Sequence, residues 1–218
     1  MEFELTLDDF ARAGYEAEEI YKGIFVVRNF LKKEEVEALE RQFSEMTEED
    51  WRTQYTESLY AFIKKQYGVD TIEEAQALGH NIKIDEEWVD KNATIKEYAV
   101  MEGINSRLNK VFERFPELDL HGVGSIQRQY EGVRLAYHID SLSNPLVVFA
   151  NVLYLNDDFT GGELHFPNID VTYKPEKGSL IVFPSADEYL HGVLPVGPGP
   201  VRYALPAFVN RKVAADAS

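Results

Sequence analysis

The chain has 218 residues, of which 44% are hydrophobic and 28% charged, a composition that fits one compact folded domain with an extended N-terminal part. Its formal net charge of −16 predicts that it does not bind nucleic acid, because a protein this acidic repels phosphate backbones. The closest approach to a basic run is Arg128 with Arg134, which is too sparse to form a basic patch. The charge is compatible with a basic peptide or a small molecule as partner, or with solubility alone. Cysteine is missing, so disulfides and zinc–thiolate sites are excluded and any metal must be bound by histidine and carboxylate side chains.

Signals for secretion or membrane insertion are also missing from the sequence. The stretch Met1–Phe10 is acidic and lacks the apolar segment of a signal peptide. No run reaches the roughly 18 consecutive apolar residues of a membrane span. We therefore expect a soluble, cytoplasmic protein that is not bound to a membrane. The sequence does not indicate its oligomeric state.

The first half of the chain carries mainly helix signals. The apolar run Gly23–Val27 predicts a strand, and the helical spacing of the apolar residues after it predicts a helix. Thr47 is followed three residues later by Asp50, a capping-box pattern that predicts the start of a second helix, with Gly68 as its end. A short helix is expected at Thr71–Ala77 and a long amphipathic helix at Thr94–Phe115.

The sequence pattern of the second half predicts short strands. From residue 123 the apolar pattern alternates or forms short runs broken by Gly, Pro, Asn and Asp. Because no segment of helix length separates these runs, a parallel α/β fold is disfavoured and a double-sheet jelly roll or barrel is favoured. Eight strands are predicted: Ser125–Tyr130, Arg134–His138, Leu146–Leu155, Glu163–Phe166, Val171–Tyr173, Ser179–Phe183, Leu190–Val193 and Val201–Val209.

Three residues of this half are candidate metal ligands. His138 and Asp140 are two apart in an extended segment, so both side chains point to the same side. A histidine–x–aspartate triplet is common by chance, but His191, on another predicted strand, supplies a second imidazole. Two imidazoles and one carboxylate occupy one face of an octahedral iron and leave three positions open, which suits an oxygenase.

Arg202 is a candidate anion ligand. Alternation along the last predicted strand places Arg202, Ala204, Pro206 and Phe208 on one face. The strand is apolar, so an arginine buried within it requires an anionic partner with matching hydrogen-bond geometry, such as a carboxylate. The alternative is an exposed arginine at the start of the strand, in a surface ion pair.

The region Gln127–Asn210 resembles the prolyl 4-hydroxylase-like branch of the Fe(II)/2-oxoglutarate-dependent dioxygenases. Phe25–Leu39 resembles, more loosely, the strand and helix that precede this region in the family. The segment near residues 50–93 matches no pattern, and from its position alone we expect a lid or peptide groove there. The motifs that carry the resemblance are Tyr130 with His138-Ile139-Asp140, Asn151–Phe159, Gly161–Pro167, Pro175–Phe183, His191–Val196 and Arg202-Tyr203-Ala204.

The resemblance implies a mainly β fold, with a double-stranded β-helix (jelly-roll) core at residues 121–211. Residues 1–120 are then its helical lead-in and support, within one domain spanning residues 1–218. It implies His138, Asp140 and His191 as iron ligands and Arg202 as the residue that binds the distal carboxylate of 2-oxoglutarate. Tyr154 is implied as a second ligand of that carboxylate, with a core aromatic as the alternative. Tyr130 is implied to line the same pocket, with a structural role equally open.

The implied cofactor is Fe(II), with 2-oxoglutarate and O₂ as co-substrates. Ascorbate is a further candidate cofactor. The implied reaction is hydroxylation of an unactivated C–H bond, most specifically of a proline in a peptide or protein. A free amino acid or another small molecule is the alternative substrate. Halogenation is disfavoured because Asp140 is retained.

Two further alternatives stay open from the sequence. A nucleic-acid dealkylase is disfavoured because such enzymes need a second arginine six residues after the first, where this chain has Phe208, and because of the net charge. A non-catalytic, cupin-like metal-binding protein is disfavoured because it has no use for a carboxylate ligand such as Arg202 with Tyr154. Among the other histidines, His165 is expected to face away from Leu164 and Phe166, towards solvent or behind the site. His80 and His121 are expected to be structural.

Overall fold

A computed structural model of the chain describes residues 3–55, 57–80, 82, 89–142 and 144–213. Within these ranges the chain forms thirteen strands in two sheets, five α-helices and three short 3₁₀ turns. No helix in the described part of the chain is long and apolar enough to cross a membrane. The predicted mainly β fold with a jelly-roll core and supporting helices is confirmed.

The larger sheet has nine antiparallel strands with β13 near its centre. Both edges of β13 are paired, one with β8 and the other with β6 and β5. In spatial order the sheet consists of β1 (Glu18–Tyr21), β2 (Ile24–Val27), β11 (Leu180–Pro184), β8 (Val147–Tyr154), β13 (Arg202–Arg211), β6 (Ser125–Gln129), β4 (Val89–Thr94) and β3 (Arg52–Tyr55), with β5 (Leu118–His121) beside the C-terminal half of β13.

The smaller sheet has four antiparallel strands and faces the larger one. In spatial order they are β10 (Val171–Tyr173), β9 (Leu164–Phe166), β12 (His191–Val193) and β7 (Leu135–His138). All eight strands predicted from the second half of the sequence are present, with ends shifted by a residue or two.

The larger sheet separates two apolar cores, and the side chains of β13 alternate between them. Ala204 belongs to the inner core, which lies between the sheets and includes Phe166 and Phe183. Leu205 and Ala207 belong to the outer core, which lies between the larger sheet and the helices. Alternation along a strand therefore works here as the sequence predicted, and the Arg202 face of β13 is the inner one.

Three helices cover the outer face of the larger sheet. They are α1 (Leu7–Arg12), α2 (Lys33–Glu45) and α5 (Tyr98–Val111). Each contributes fully buried apolar side chains to the outer core, because apolar residues recur three or four apart on one face of the helix. The residues at the centre of this contact include Phe10, Leu39, Ile104 and Leu108.

Two helix boundaries differ from the sequence prediction. The long helix was expected from Thr94, but Thr94 ends β4 and pairs with Ser125, so α5 begins only at Tyr98. Sheet pairing overrides helical periodicity there. The capping box at Thr47 does form, yet it caps only the 3₁₀ turn Glu48–Asp50 before the chain enters β3. The prediction of a helix starting at Thr47 was wrong.

The segment near residues 50–93 extends the larger sheet. Strands β3 and β4 pair with each other, and β4 pairs with β6. Between them lie α3 (Glu57–Tyr67), which Gly68 follows with a positive φ of 75°, and α4 (Ile72–Ala77), which Thr71 caps. Helix α3 contacts β7 of the smaller sheet. Residues 56, 81 and 83–88 lie outside the described ranges, and a role of this segment as a lid stays a prediction.

The burial of Leu205 in the outer core predicts the cost of truncating it. Leu205→Ala removes a side chain with 0% exposure and leaves a cavity, so the free energy of unfolding should fall by about 2–5 kcal/mol. Urea denaturation of the two proteins measures this. Leu78→Ala is the matched control, since Leu78 is 63% exposed and its truncation should change the value by less than about 0.5 kcal/mol. Equal effects of the two substitutions would contradict the packing of β13.

Candidate functional site

The three candidate metal ligands lie together at one end of the smaller sheet. His138 is the last residue of β7 and pairs with His191, the first residue of β12. Asp140 begins the 3₁₀ turn that follows β7. Its two carboxylate oxygens lie 3.7 Å from Nε2 of His138 and 3.6 Å from Nε2 of His191. All three donor atoms lie within 4.8 Å of one another, which is the spacing of ligands around one metal ion.

Main-chain carbonyl groups fix the orientation of both imidazoles. The Nδ1 atom of His138 lies 2.8 Å from the carbonyl oxygen of Ala136, and Nδ1 of His191 lies 3.1 Å from that of Tyr189. A carbonyl oxygen only accepts hydrogen bonds, so Nδ1 must carry the proton in each ring. Each Nε2 therefore presents its lone pair towards Asp140, as a metal ligand requires.

The electrostatics of His191 and Asp140 also suit a cation. Burial and the nearby His138 ring lower the pKa of His191 to about 3, so this imidazole is neutral at physiological pH. Burial raises the pKa of the Asp140 carboxyl, and His138 opposes that shift. Burial of the Asp140 carboxylate is electrostatically costly, and a bound dication would reduce that cost. These residues therefore fit a divalent metal ion held by two nitrogens and one oxygen, with further positions open.

Arg202 is buried on the inner face of β13, with only 2% of its surface exposed. Its Nε donates to the carbonyl oxygen of Gly162 at 3.0 Å, and NH1 donates to Oε1 of Gln129 at 2.7 Å. Both of these partners are neutral acceptors. A buried guanidinium offers planar, charge-assisted donors, so the arrangement suits an anionic ligand.

Tyr154 lies beside this guanidinium and is also fully buried. It ends β8, where it pairs with Ala204 of β13. The Arg202 guanidinium carbon lies 5.2 Å from the centre of its ring. Burial raises the pKa of Tyr154 well above its usual value despite the opposing effect of Arg202, so the phenol stays protonated and acts as a donor.

The metal-ligand cluster and the Arg202 pocket face the same inner space. The His191 ring packs against Phe183 and Phe166, with ring centroids 4.6 and 5.9 Å away. These phenylalanines belong to the same inner core as Tyr154. The inner core between the sheets thus adjoins both a candidate cation site and a candidate anion site.

Gly162 makes room for Arg202. It has a positive φ of 67°, as expected for the Gly161–Gly162 turn, and a Cβ at this position would lie 2.9 Å from Cδ of Arg202. Any larger residue would therefore strain the backbone and displace the arginine. The turn supplies both a hydrogen-bond acceptor and the space for the side chain.

Tyr130 and the three other histidines make separate contacts of their own. Tyr130 follows the end of β6 and is 36% exposed, with its ring 5.0 Å from the guanidinium of Arg128. Its predicted contribution to the co-substrate pocket stays a prediction. His165 points away from the inner core, as expected, and Nδ1 of its ring lies 2.7 Å from the Tyr137 hydroxyl. His80 stacks on Tyr67, and His121 is exposed.

Sequence reasoning missed Gln129, which is only 1% exposed and contacts Arg202 directly. The signal was the strand pairing of β6 with β13, in which Arg202 lies opposite Gln129. Periodicity within one strand does not reveal that register.

Residues 125–210 match the profile of the 2OG-Fe(II) oxygenase superfamily. This match identifies residues 125–210 as a 2OG-Fe(II) oxygenase domain. The matched segment begins with β6 and ends within β13, and it contains the three candidate metal ligands as well as Arg202 and Tyr154. No curated protein matches the chain in sequence.

Solved structures share the fold of this chain. A viral collagen prolyl hydroxylase from Paramecium bursaria Chlorella virus-1, in complex with 2OG, aligns with a TM-score of 0.60 at 15% identity over 88% of this chain and 97% of its own. A 2OG-Fe(II) oxygenase family oxidoreductase from Burkholderia pseudomallei aligns with a TM-score of 0.62 at 15% identity over 96% of both chains.

A third structure is a prolyl hydroxylase from Trichoplax adhaerens in complex with a peptide fragment of the oxygen degradation domain of hypoxia inducible factor. It aligns with a TM-score of 0.60 at 18% identity over 87% of this chain and 84% of its own. At these identities the likeness is one of fold.

The raised pKa of Asp140 predicts a pH-dependent metal affinity. A proton competes with the metal for this carboxylate at a higher pH than for an ordinary aspartate, so Mn(II), a redox-stable substitute for Fe(II), should bind more weakly as the pH is lowered through the raised pKa. Calorimetric titration across a pH series measures the effect. Asp140→Asn should bind more weakly but with a flatter pH dependence. An unchanged pH profile in that variant would assign the titration to another group.

The close approach of Gly162 to Arg202 predicts a selective effect on co-substrate binding. Gly162→Ala should weaken 2-oxoglutarate binding at least about tenfold, because the added Cβ displaces the guanidinium. Gly79→Ala is the matched control, since Gly79 also has a positive φ of 85° but has nothing within 4 Å of its Cβ position. Both variants should lose stability in thermal unfolding because of the positive φ, and Gly162→Ala should lose more because it adds the clash. Equal loss of 2-oxoglutarate affinity in both would show that the clash does not matter.

Proposed function

We propose that this chain is a 2OG-Fe(II) oxygenase that hydroxylates a prolyl residue of a peptide or protein. His138, Asp140 and His191 would hold Fe(II), and Arg202 with Tyr154 would bind the distal carboxylate of 2-oxoglutarate. The observation that carries this proposal is that a metal-ligand cluster and a buried guanidinium both border the inner core between the two sheets. Fe(II), with 2-oxoglutarate and O₂, supplies the oxidation of an unactivated C–H bond, while 2-oxoglutarate becomes succinate and CO₂.

The three metal ligands leave coordination positions for both co-substrates. A set of two imidazoles and one carboxylate occupies half of an octahedral shell. The carbonyl groups of Ala136 and Tyr189 hold the rings in the tautomer that binds metal. In each case the carbonyl group two residues before the histidine contacts Nδ1, which leaves Nε2 as the metal-binding atom.

The Arg202 pocket selects a co-substrate with a second carboxylate. Arg202 is permanently charged and held by two hydrogen bonds, and Tyr154 adds a protonated phenol. The inner core excludes water around them, so an ion pair formed there is stronger than it would be in solvent. A 2-oxo acid without a distal carboxylate would lose the hydrogen bonds that Arg202 and Tyr154 offer to that group.

Two observations favour a peptide over a free amino acid as the substrate. The exposed side chains of Tyr137 and Leu142 flank His138 and Asp140 in sequence, so the cluster lies next to an open, partly apolar surface. In addition, the related Trichoplax enzyme binds a peptide fragment in its solved structure. Aromatic surfaces commonly receive proline-rich peptides in extended form.

Turnover with matched peptides tests the proposal. Wild-type protein with Fe(II) and 2-oxoglutarate should form succinate and hydroxyproline in equal amounts with a proline-rich peptide, and neither above background when alanine replaces proline. His138→Ala should reduce succinate formation to background because the metal site loses a ligand. Arg202→Ala should weaken 2-oxoglutarate binding roughly 10- to 100-fold, because a hydrogen-bonded charge pair is lost.

His121→Ala is the control, since His121 is exposed and outside the cluster, and it should behave as wild type. Succinate formation with a free amino acid but with no peptide would move the proposal to a small-molecule hydroxylase. If metal binds but no candidate yields succinate, and Arg202→Ala leaves 2-oxoglutarate affinity unchanged, the carboxylate-binding assignment is wrong.

A further inference from the structure

We propose that the side-chain amide of Gln129 is a direct ligand of the distal carboxylate of 2-oxoglutarate, together with Arg202 and Tyr154. This inference rests on the proposed function, since it deepens the description of the same anion-binding pocket. Gln129 lies opposite Arg202 in the pairing of β6 with β13, and its side chain is buried on the same inner face.

The hydrogen bond to Arg202 fixes which end of the amide faces the guanidinium. NH1 of Arg202 lies 2.7 Å from the Gln129 side-chain oxygen. Arginine has donors and no acceptor, so only the amide oxygen of Gln129 can take this position. The amide nitrogen must then point elsewhere, with two N–H groups to donate.

That nitrogen is a buried donor without a partner. Nε2 of Gln129 has no hydrogen-bond acceptor within the described part of the chain, although the residue is only 1% exposed. Such groups are rare in folded proteins because desolvating a donor without replacing its hydrogen bond is unfavourable. Here the donor belongs to the same amide that contacts the guanidinium, so an anion bound by Arg202 lies within its reach.

A carboxylate can satisfy all three residues at once. Its two oxygens offer about four lone-pair sites, enough to accept from a guanidinium, a phenol and an amide nitrogen. The pocket also holds Arg202 firmly, since Gly162 accepts from Nε and the Phe159 ring lies 5.9 Å from the guanidinium carbon. Gln129 therefore has two roles, accepting from Arg202 and donating to the ligand.

Two variants separate these roles from simple packing. Gln129→Met keeps the size of the side chain but removes both the acceptor and the donor. Gln129→Glu keeps an acceptor for Arg202 but replaces the donor with a negative charge. The ligands are 2-oxoglutarate and 2-oxopentanoate, which carries a methyl group in place of the distal carboxylate. Calorimetric titration of the Fe(II)-loaded protein without oxygen gives both dissociation constants.

Gln129→Met should weaken 2-oxoglutarate binding roughly 10- to 100-fold, and Gln129→Glu should weaken it further because of charge repulsion. Binding of 2-oxopentanoate should change by less than about threefold in either variant. Gln127→Met is the matched control, because Gln127 lies on the same strand opposite Ala204, and it should change neither constant. Thermal unfolding of each metal-free variant verifies that the fold is retained.

A double variant distinguishes direct contact from an effect through Arg202. If Gln129 contacts the ligand, adding Gln129→Met to Arg202→Met weakens 2-oxoglutarate binding further. No additional loss would overturn the inference, since Gln129 would then only position the arginine. Unchanged 2-oxoglutarate binding by Gln129→Met alone would also overturn it. If wild-type protein does not prefer 2-oxoglutarate to 2-oxopentanoate, the carboxylate site of the proposed function fails, and this inference fails with it.

Discussion

The burial of one positive charge, on Arg202, governs the organisation of the space between the two sheets. Its strand is paired on both edges, so the backbone that carries the side chain cannot move towards solvent without breaking sheet hydrogen bonds. Neighbouring elements accommodate the charge: Gly162 has no side chain and turns its carbonyl inward, and Gln129 presents an oxygen. Buried guanidinium groups are suited to bind anions through paired, charge-assisted hydrogen bonds, and the metal-ligand cluster shares this interior.

Much of this arrangement could be predicted from the sequence, because strands repeat with a period of two. The alternation that assigned Leu164 and Phe166 to the interior and His165 to the exterior is what the smaller sheet shows. The same rule placed His138 and Asp140 on one side of their own segment, and Arg202 and Ala204 on one face of β13. Short strands separated by glycine and proline also left little freedom in where each element begins and ends. Local chemistry was therefore enough to find the residues that form the site.

Long-range pairing was harder to predict. Gln129 and Arg202 are brought together across 73 residues of sequence by strand register, which no local pattern encodes. Thr94 was assigned to the long helix because the apolar spacing begins at Ile95, yet Thr94 pairs with Ser125 of β6 instead. The capping box at Thr47 formed as expected but began only a single turn. In these cases the local sequence pattern was present, but hydrogen bonds between strands distant in sequence determined the secondary structure that formed.

The neutral hydrogen-bond partners of the two imidazoles have a consequence for the charge of the cavity. His138 and His191 are hydrogen-bonded to main-chain carbonyl groups, which are neutral, and not to further carboxylates. Asp140 is therefore the single anion among the three ligands. A divalent ion there leaves a net charge of about +1, and Arg202 adds about +1 more, which together match the two carboxylates of a dianionic ligand. The remainder of the molecule is strongly acidic, with a formal net charge of −16. With a metal bound, the interior would thus carry positive charge inside a negatively charged protein. Long-range repulsion by the rest of the protein would then oppose the approach of the anion that the interior binds.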